Sequence, residues 1–338
     1  MNVQGVILIV PRFYCAYGYR GCAGYTLIDI SSRSNYARTK LSIASTLNMD
    51  YIQNLVPDYD TTDVNLWSTP LLLDNQVRDL FEGLGYKTIA FYNGYKWLHW
   101  KDADYFLQPN PQQSALSEQL DANLTSFEEM FLNTTLLSFI IDSQTDQTQV
   151  SSAPSSRETD LYTLATLPKI PQIAGPKFIY AHLVLPHPPF VFGPNGEKVN
   201  IGRSDEDLND VTQYEDEANR LAYRDQVIYT NDRIIPILRD IIERSPTPPI
   251  IILESDHGPT AYGGVQNRMG NFMAYYFPGK DVSNIAYPSI SPVNSFRLVF
   301  NTYFDGKYPL LDDISYYSDV TYNFNYQIVP NTCAQDPN

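Results

Sequence analysis

The chain has 338 residues, of which 43% are hydrophobic and 13% aromatic, so a large core can form and global disorder is excluded. Thirty-eight acidic residues against 23 basic ones give a net charge of -15, and that field repels nucleic acid and anionic lipid surfaces. The 3 cysteines include no Cys-x-x-Cys pair. No apolar run approaches the roughly 18 residues that a spanning helix needs, so the chain is expected to be soluble, without a transmembrane segment.

Apolar periodicity and turn signals predict alternating helices and strands along most of the chain. Pro70 after Thr69 is typical of a helix start, and Pro236 is expected to kink or split the longest helical stretch. In chain order the predicted elements are a strand over Tyr25 to Ile30, a helix over Thr39 to Leu47, a helix from Thr69 to about Glu82, a strand over Lys87 to Tyr92, a helical stretch from about Leu116 to Ser138, an exposed loop over 143–158, a strand over Lys177 to Leu185, a helix over Val211 to Arg244, strands over Ile250 to Glu254 and Asn271 to Phe277, and a helix over Ser295 to Tyr303.

This alternation indicates an α/β protein with a single doubly wound mixed sheet and helices on both faces. We expect a poorly defined N-terminal segment over 1–24, a single α/β domain over 25–311, and a Tyr- and Asn-rich tail over 312–338 with weak order signals.

Two types of metal-ligating side chain follow the strand at Ile250. This apolar, β-branched strand ends in Ser255-Asp256-His257-Gly258. Ligands of α/β sheets bind at the carboxyl ends of the strands, and carboxylate and imidazole both bind divalent metals. The alternative is an aspartate that caps the next element beside a structural histidine.

A second histidine, His187, follows the strand over Lys177 to Leu185 and is flanked by prolines. If both strands belong to one sheet, His187 and the Asp256-His257 pair emerge at the same rim. His182 is expected in the middle of its strand, as a core histidine. His99, between Trp97 and Trp100, is also interpreted as structural.

These segments resemble the sulfatase-like branch of the alkaline phosphatase superfamily, in particular bacterial sulfatase-domain proteins and lipoteichoic-acid-synthase-type phosphotransferases. The likeness extends from about residue 30 to 318, and Pro-His-Pro followed by Ser-Asp-His-Gly after a long helix is its most specific part. Its carriers are Ser31-Ser32-Arg33-Ser34-Asn35-Tyr36 leading into Leu41-Ser42-Ile43-Ala44-Ser45, Gly94-Tyr95, Leu185-Pro186-His187-Pro188-Pro189, Ser255-Asp256-His257-Gly258-Pro259, and Pro292-Val293-Asn294-Ser295-Phe296-Arg297.

The resemblance implies an alkaline-phosphatase-like fold and one divalent metal ion (Ca, Mg, Mn or Zn) with Asp256 and His257 among its ligands. It makes His187 the residue that binds the ester or assists the leaving group. The nucleophile in the family is a hydroxyl-type group at a helix N-terminus. Thr39 opens its helix and is the expected nucleophile here, although it is equally compatible with a plain first helical residue; Ser34 is the other nearby hydroxyl, and Tyr36 stands near the family position.

The chain departs from the family at two places. The family's first strand ends in one or two aspartates that hold the metal, whereas Val6 to Val10 runs into Pro11-Arg12, and Asp29 is the only acid before the polar turn. No histidine follows His257, and Asn271 stands near the place of the later histidine of many relatives. Either the first metal-binding strand is lost or replaced, or the site has decayed, and both predict weak metal binding.

The leading hypothesis is a metal-dependent hydrolase or transferase of sulfate or phosphate esters, acting on a small anionic ester, a glycan or a lipid head group. The alternative is a catalytically impaired or truncated relative that serves as a binding or structural module. An α/β hydrolase triad is disfavoured because the sequence has no Gly-x-Ser-x-Gly elbow. Relatives usually face the cell exterior from a membrane anchor, and none is visible in this sequence.

Overall fold

The fold is built around one large sheet. The computed structural model describes residues 3–11, 26–28, 32–57, 64–109, 154–201, 217–259, 264–318 and 324–331. Strands in these residues are β1 (Gly5–Pro11), β2 (Thr26–Ile28), β3 (Lys87–Phe91), β4 (Tyr105–Leu107), β5 (Lys177–Leu183), β6 (Phe190–Phe192), β7 (Lys198–Ile201), β8 (Ile250–Glu254), β9 (Met273–Tyr276), β10 (Tyr316–Tyr317) and β11 (Gln327–Ile328). Seven of them form the large sheet, in the order β2-β9-β8-β1-β5-β3-β4.

Helices lie between the strands along the chain. In the described ranges they are α1 (Thr39–Asn48), α2 (Ile52–Leu55), α3 (Val64–Leu73), α4 (Gln76–Gly83), α5 (Ser156–Thr166), α6 (Glu217–Arg244), α7 (Gly264–Arg268) and α8 (Ser295–Tyr303), with short 3-10 segments at Lys96–Leu98, Leu167–Gln172, Val282–Asn284 and Pro292–Asn294.

The sheet is mixed and is covered on both faces, as predicted. Strands β8, β1, β5, β3 and β4 are parallel, whereas β9 pairs antiparallel with β8 and with β2. Alternate residues of the parallel strands point into two separate hydrophobic clusters. One cluster packs against α1, α3, α4 and α8, and the other against α5 and α6. Near-continuous apolar runs such as Ile250–Glu254 follow from burial on both sides.

The central strand is β1, which lies in the segment for which the sequence predicted little structure. Val6 to Ile9 are almost completely buried, and β1 pairs in parallel with β5 on one side and β8 on the other. A first strand is therefore present, and it ends in Pro11 without an acid. Asp29 and residues 12–25 lie outside the described residues.

Most predicted elements are confirmed, including α1, β3, β5, β8, β9 and α8. The helix start at Thr69-Pro70 is wrong, because Pro70 lies inside α3. A second helix begins after Asn75, whose side chain accepts a hydrogen bond from the Arg78 N–H and so caps α4.

Two further predictions are corrected, and a third lies outside the described residues. The exposed loop does not reach residue 158, since Ser155 and Glu158 form a capping box that starts α5. Helix α6 runs continuously through Pro236. The predicted helix over Leu116 to Ser138 is not among the described residues.

The described part of the tail is bonded to the turn before α1, although its sequence carries weak order signals. The Asn35 side chain donates to Ser291 Oγ (2.9 Å) and to the Ile314 carbonyl (3.0 Å), and accepts from the Val293 N–H (2.8 Å). The Asn35 carbonyl accepts from the Tyr316 N–H at 2.8 Å. The turn over 32–36 and the Pro-Val-Asn-Ser motif therefore meet at one buried amide.

We predict that Asn35→Ala lowers the free energy of unfolding by about 3 kcal/mol, because it leaves buried backbone groups of Val293 and Ile314 without partners. Urea unfolding followed by circular dichroism measures this change. The control is Asn284→Ala, which removes an exposed contact to Asp281 and should cost under about 0.5 kcal/mol. Equal, small effects of both substitutions would contradict the prediction.

Candidate active site

The carboxyl ends of β5 and β8 lie at one rim of the sheet. Both strands run parallel to β1, with Leu183 level with Pro11 and Leu253 level with Ile9. Only β1 separates them, so the two strand ends are about 10 Å apart. The backbone thus brings the segment that carries His187 and the Asp256-His257 pair to the same rim, as the sequence predicted.

Three polar side chains meet at the end of β8. His257 Nε2 lies 3.2 Å from Asp256 Oδ2 and 3.2 Å from Thr39 Oγ1. All three residues are buried. Thr39 is the first residue of α1, and Arg38 before it makes no side-chain cap bond. The hydroxyl therefore sits where the unsatisfied N–H groups and positive end of a helix point.

The tautomer of His257 follows from its second nitrogen. Nδ1 lies 2.9 Å from the Gly258 carbonyl, which can only accept, so Nδ1 carries the hydrogen. In the neutral ring Nε2 then presents a lone pair toward the Asp256 carboxylate. Two electron-rich atoms 3.2 Å apart are favourable with a proton or a cation between them.

Two side chains that sequence reasoning missed, Ser42 and Arg268, connect α1 and the residue before Arg38 to the loop that follows β8. Ser42 Oγ donates to the Asp256 carbonyl at 2.6 Å. The Arg268 guanidinium donates to the Ala37 carbonyl (2.8 Å) and to the Gly258 carbonyl (3.0 Å). Nothing in the sequence pattern marks Arg268, because its partners are backbone groups from two distant segments.

Gly258 is required by a close backbone approach. A Cβ atom at this position would lie 2.0 Å from the Asn267 carbonyl oxygen and 2.9 Å from that of Gly270. The Gly258 N–H also donates to the Arg268 carbonyl at 2.9 Å. The glycine therefore lets the segment over 264–270 close over the loop that holds His257.

A buried acid lies two residues before Asp256. The pKa of Glu254 is raised to about 8, chiefly by burial and also by the nearby Asp256 charge, against a lowering hydrogen bond from Ser295. Ser295 Oγ donates to Glu254 Oε2 at 2.8 Å and also lies 2.8 Å from Tyr275 Oη. At neutral pH Glu254 is therefore largely protonated, and Ser295 holds its carboxyl group in a dry environment.

The turn that carries His187 is held by two buried polar side chains. The Val184 N–H donates to Asp160 of α5, whose pKa burial raises to about 8, and the Val184 carbonyl accepts from the His187 N–H at 2.8 Å. Gln226 of α6 donates to the His187 carbonyl (3.3 Å) and accepts from the Val191 N–H (2.8 Å). His187 itself is half-buried, with Nδ1 2.5 Å from the Pro188 carbonyl.

Neither alternative to Thr39 lies beside His257 in the described contacts. The Tyr36 hydroxyl donates to Gln53 Oε1 at 2.6 Å and accepts from the Ile52 N–H, and its ring is fully buried among other tyrosines. Ser34 Oγ donates to the Met269 carbonyl at 3.3 Å. Of the three candidates, Thr39 is the one that the fold places at the rim.

His182 and His99 are both buried, as expected for structural histidines. His182, however, is the penultimate residue of β5 rather than its middle, because the strand ends at Leu183. It shares a sheet face with Tyr180 and stacks on Tyr95 at 6.0 Å. His99 packs on Tyr92 at 4.6 Å between ring centroids.

The Asp256 carboxylate and the His257 imidazole at the rim are suitable ligands for a divalent cation, but they are only two, and a further ligand does not occur with them among the described residues. Two ligands about 2.1 Å from one ion lie about 3.0 to 3.4 Å apart, which matches the Asp256–His257 spacing. No group of three or more His, Cys, Asp or Glu side chains suited to a metal occurs in the part of the chain that the structure describes. Asn271 does not replace the missing histidine, since its Oδ1 accepts from Ser255 Oγ at 2.6 Å.

The mixed, largely parallel sheet with helices on both faces is an alkaline-phosphatase-like α/β fold. The Sulfatase family model matches residues 31–290, and the chain therefore belongs to the Sulfatase family. No curated protein sequence matches it. Across the described residues, no helix has the length and apolar character that a membrane crossing requires.

Similar solved structures share the fold at low sequence identity. BT1596, a 2-O GAG sulfatase, has a TM-score of 0.55 and 14% identity over 93% of this chain and 72% of its own. The C-terminal periplasmic domain of phosphoethanolamine transferase EptC from Campylobacter jejuni has a TM-score of 0.51 and 12% identity over 92% of both chains. The soluble domain of lipooligosaccharide phosphoethanolamine transferase A from Neisseria meningitidis has a TM-score of 0.52 and 13% identity over 88% of this chain and 87% of its own.

We predict that His99 stays neutral down to acidic pH, because burial, together with the positive charges of Lys101 and Lys96, lowers its pKa to about 4. Protonation then favours the unfolded chain, so stability present above pH 6.5 is lost as pH falls toward 4. The loss reaches about 3 kcal/mol. NMR titration of the ring measures the pKa, and a His99→Phe variant should lose less stability over this range. A ring that titrates near 6.5 would contradict the prediction.

Proposed function

We propose that the protein is a metal-dependent hydrolase or transferase of sulfate or phosphate esters, with its reaction centre at the rim formed by Thr39, Asp256 and His257. The supporting observation is that a hydroxyl at a helix N-terminus lies 3.2 Å from the same imidazole nitrogen that faces a buried carboxylate. Membership of the Sulfatase family points to the same class of reaction.

In this proposal Thr39 is the nucleophile. Its Oγ1 is within hydrogen-bond reach of His257 Nε2, and the start of α1 contains no acidic residue that would repel an anionic ester. The N–H groups at the start of α1 favour the sulfuryl or phosphoryl oxygens. Attack by the hydroxyl would form an ester of Thr39 and break the bond between the sulfur or phosphorus and the leaving alcohol, which takes up a proton as it departs. Attack by water or a second alcohol would then break the Thr39 ester and restore the hydroxyl.

Asp256 and His257 would hold a divalent ion, completed by a residue outside the described set. Such an ion, when bound, neutralises charge on the non-bridging oxygens and lowers the pKa of the attacking hydroxyl. The chain's own residues hold the two ligand side chains in place. The Gly258 carbonyl sets the tautomer of His257, and Ser42 and Arg268 fix the loop after β8 against α1.

His187 is proposed to bind the ester or to protonate the leaving group. The turn that carries His187 follows β5, which lies beyond β1 from β8. Asp160 and Gln226 hold the backbone on either side of this turn. Since only β1 separates the two strand ends, a substrate lying about 10 Å across the rim reaches both His187 and Thr39.

The substrate is proposed to be a small anionic ester, a glycan or a lipid head group. The names of similar structures include a glycosaminoglycan sulfatase, a protein bound to neocarrahexaose and phosphoethanolamine transferases. A local cation would offset the net charge of -15, which otherwise repels every such substrate.

A catalytically impaired member of the family is the second candidate. The absence of a third His, Cys, Asp or Glu ligand within the described ranges favours it, since catalytic zinc sites offer about three protein ligands. The two candidates differ in metal content and in turnover.

The purified protein is expected to retain near one divalent ion per chain after dialysis, measured by elemental analysis. The Asp256→Ala/His257→Ala double variant should lose it, whereas Asp240→Ala, on the outer face of α6, should keep it. Absence of metal from all three proteins would reject the metal-dependent reaction and support the impaired family member.

Thr39→Ala is expected to lower kcat for 4-nitrophenyl sulfate or phosphate esters by at least about 1,000-fold, because it removes the attacking oxygen. Thr39→Ser keeps a hydroxyl and should retain a measurable part of the activity. Ser34→Ala serves as the control for a neighbouring hydroxyl and should change kcat little. Full activity in Thr39→Ala would eliminate Thr39 as the nucleophile.

A further inference from the structure

A cavity of about 280 Å³ lies at the amino ends of the central strands, on the side of the sheet opposite the rim that carries the candidate active site. It is bounded by the amino ends of β1 and β5, by the 3-10 segment Leu167–Gln172 and by the end of α6. Much of its wall is apolar and is contributed by five isoleucines: Ile7, Ile170, Ile173, Ile179 and Ile241. A cavity of this size accommodates a small ligand with an aliphatic body.

One buried cation faces this apolar wall. Lys177, the first residue of β5, lines the cavity and is only 8% exposed. It lies two residues before Ile179, so both side chains point to the same face of the sheet. Polar groups of Gln4, Ser245 and Thr247 also line the cavity.

Lys177 has no acidic partner within ion-pair distance in the described part of the chain. Its register neighbour on β3 is another lysine, Lys87, whose ammonium lies over the Tyr105 ring at 5.9 Å. Burial lowers the pKa of Lys177, and the positive charge of Lys87 lowers it further. In a chain with 38 acidic residues, two adjacent lysines without a carboxylate form an isolated positive centre.

A partly buried ammonium that has no carboxylate beside it is stabilised when an anion accompanies it. The carboxyl end of α6, which carries a partial negative charge, also lies at the cavity. There the Ile241 carbonyl already accepts from both the Ser245 N–H (3.1 Å) and Ser245 Oγ (2.6 Å). Lys177 offers a positive charge that has no carboxylate partner among the described residues, and the isoleucines offer an apolar wall. Together they are complementary to a molecule with one negatively charged end and one apolar end.

We propose that this cavity binds a small amphipathic anion, with a single oxyanion head group at Lys177 and a short aliphatic body among the isoleucines. This site is separate from the candidate active site, because the length of β1 and β5, about 20 Å, lies between them. Its occupant need not be an ester, and its binding does not depend on the activity proposed above.

Octanoate is the probe for this site, and octanamide, which has the same chain without the charge, is its matched control. Titration calorimetry measures the affinities, and methyl NMR of the isoleucines locates the site. Octanoate is expected to bind saturably and to shift the methyl signals of the five wall isoleucines, at least about tenfold more tightly than octanamide. Absence of saturable binding, or shifts confined to other isoleucines, would overturn the proposal.

Lys177→Met tests the role of the cation while preserving the volume of the side chain. It should weaken octanoate binding to the level of octanamide, whereas Lys280→Met, at an exposed turn, should leave binding unchanged. In the absence of ligand, Lys177→Met should raise Tm, since it removes a buried charge without a partner. A fall in Tm with unchanged octanoate affinity would show instead that Lys177 is a structural counter-charge for the end of α6.

Discussion

The parallel pairing of β1 with β5 on one side and β8 on the other is the constraint on which the candidate active site depends. It places the carboxyl ends of two strands, Leu183 and Glu254, which are 71 residues apart in sequence, in one sheet with a single strand between them. The side chains that follow each strand then share a rim without any direct contact between the two segments. A shift of either register by one residue would reverse the faces of every side chain in that strand.

The geometry of the rim also depends on backbone carbonyls and one side chain that take no part in the proposed reaction. His257 has a defined tautomer because the Gly258 carbonyl accepts from Nδ1, and that carbonyl also accepts from Arg268. The same guanidinium reaches the Ala37 carbonyl, two residues before Thr39. One side chain therefore couples the start of α1 to the loop after β8, so the relative position of hydroxyl and imidazole is set by backbone contacts.

The sequence was sufficient for the parts of the fold that rest on local pattern. The apolar run at β8 and the helical spacing of α1 predicted their elements, and the polar residues after two strands predicted a shared rim. Positions set by long-range packing could not be found in this way. β1 was not predicted, because its apolar run leads into Pro11-Arg12 and a tract rich in Gly, Tyr and Cys, yet it occupies the centre of the sheet. Pro70 suggested a helix start but is tolerated inside α3.

The bonds of Asn35 have a consequence for the order in which the protein acquires its site during synthesis. The turn before α1 is made early, but its partners at Ser291, Val293, Ile314 and Tyr316 are translated 256 to 281 residues later. Until those residues leave the ribosome, the turn lacks the groups that hold it in place. The start of α1, where Thr39 lies, therefore reaches its final position only after residue 316 has been made.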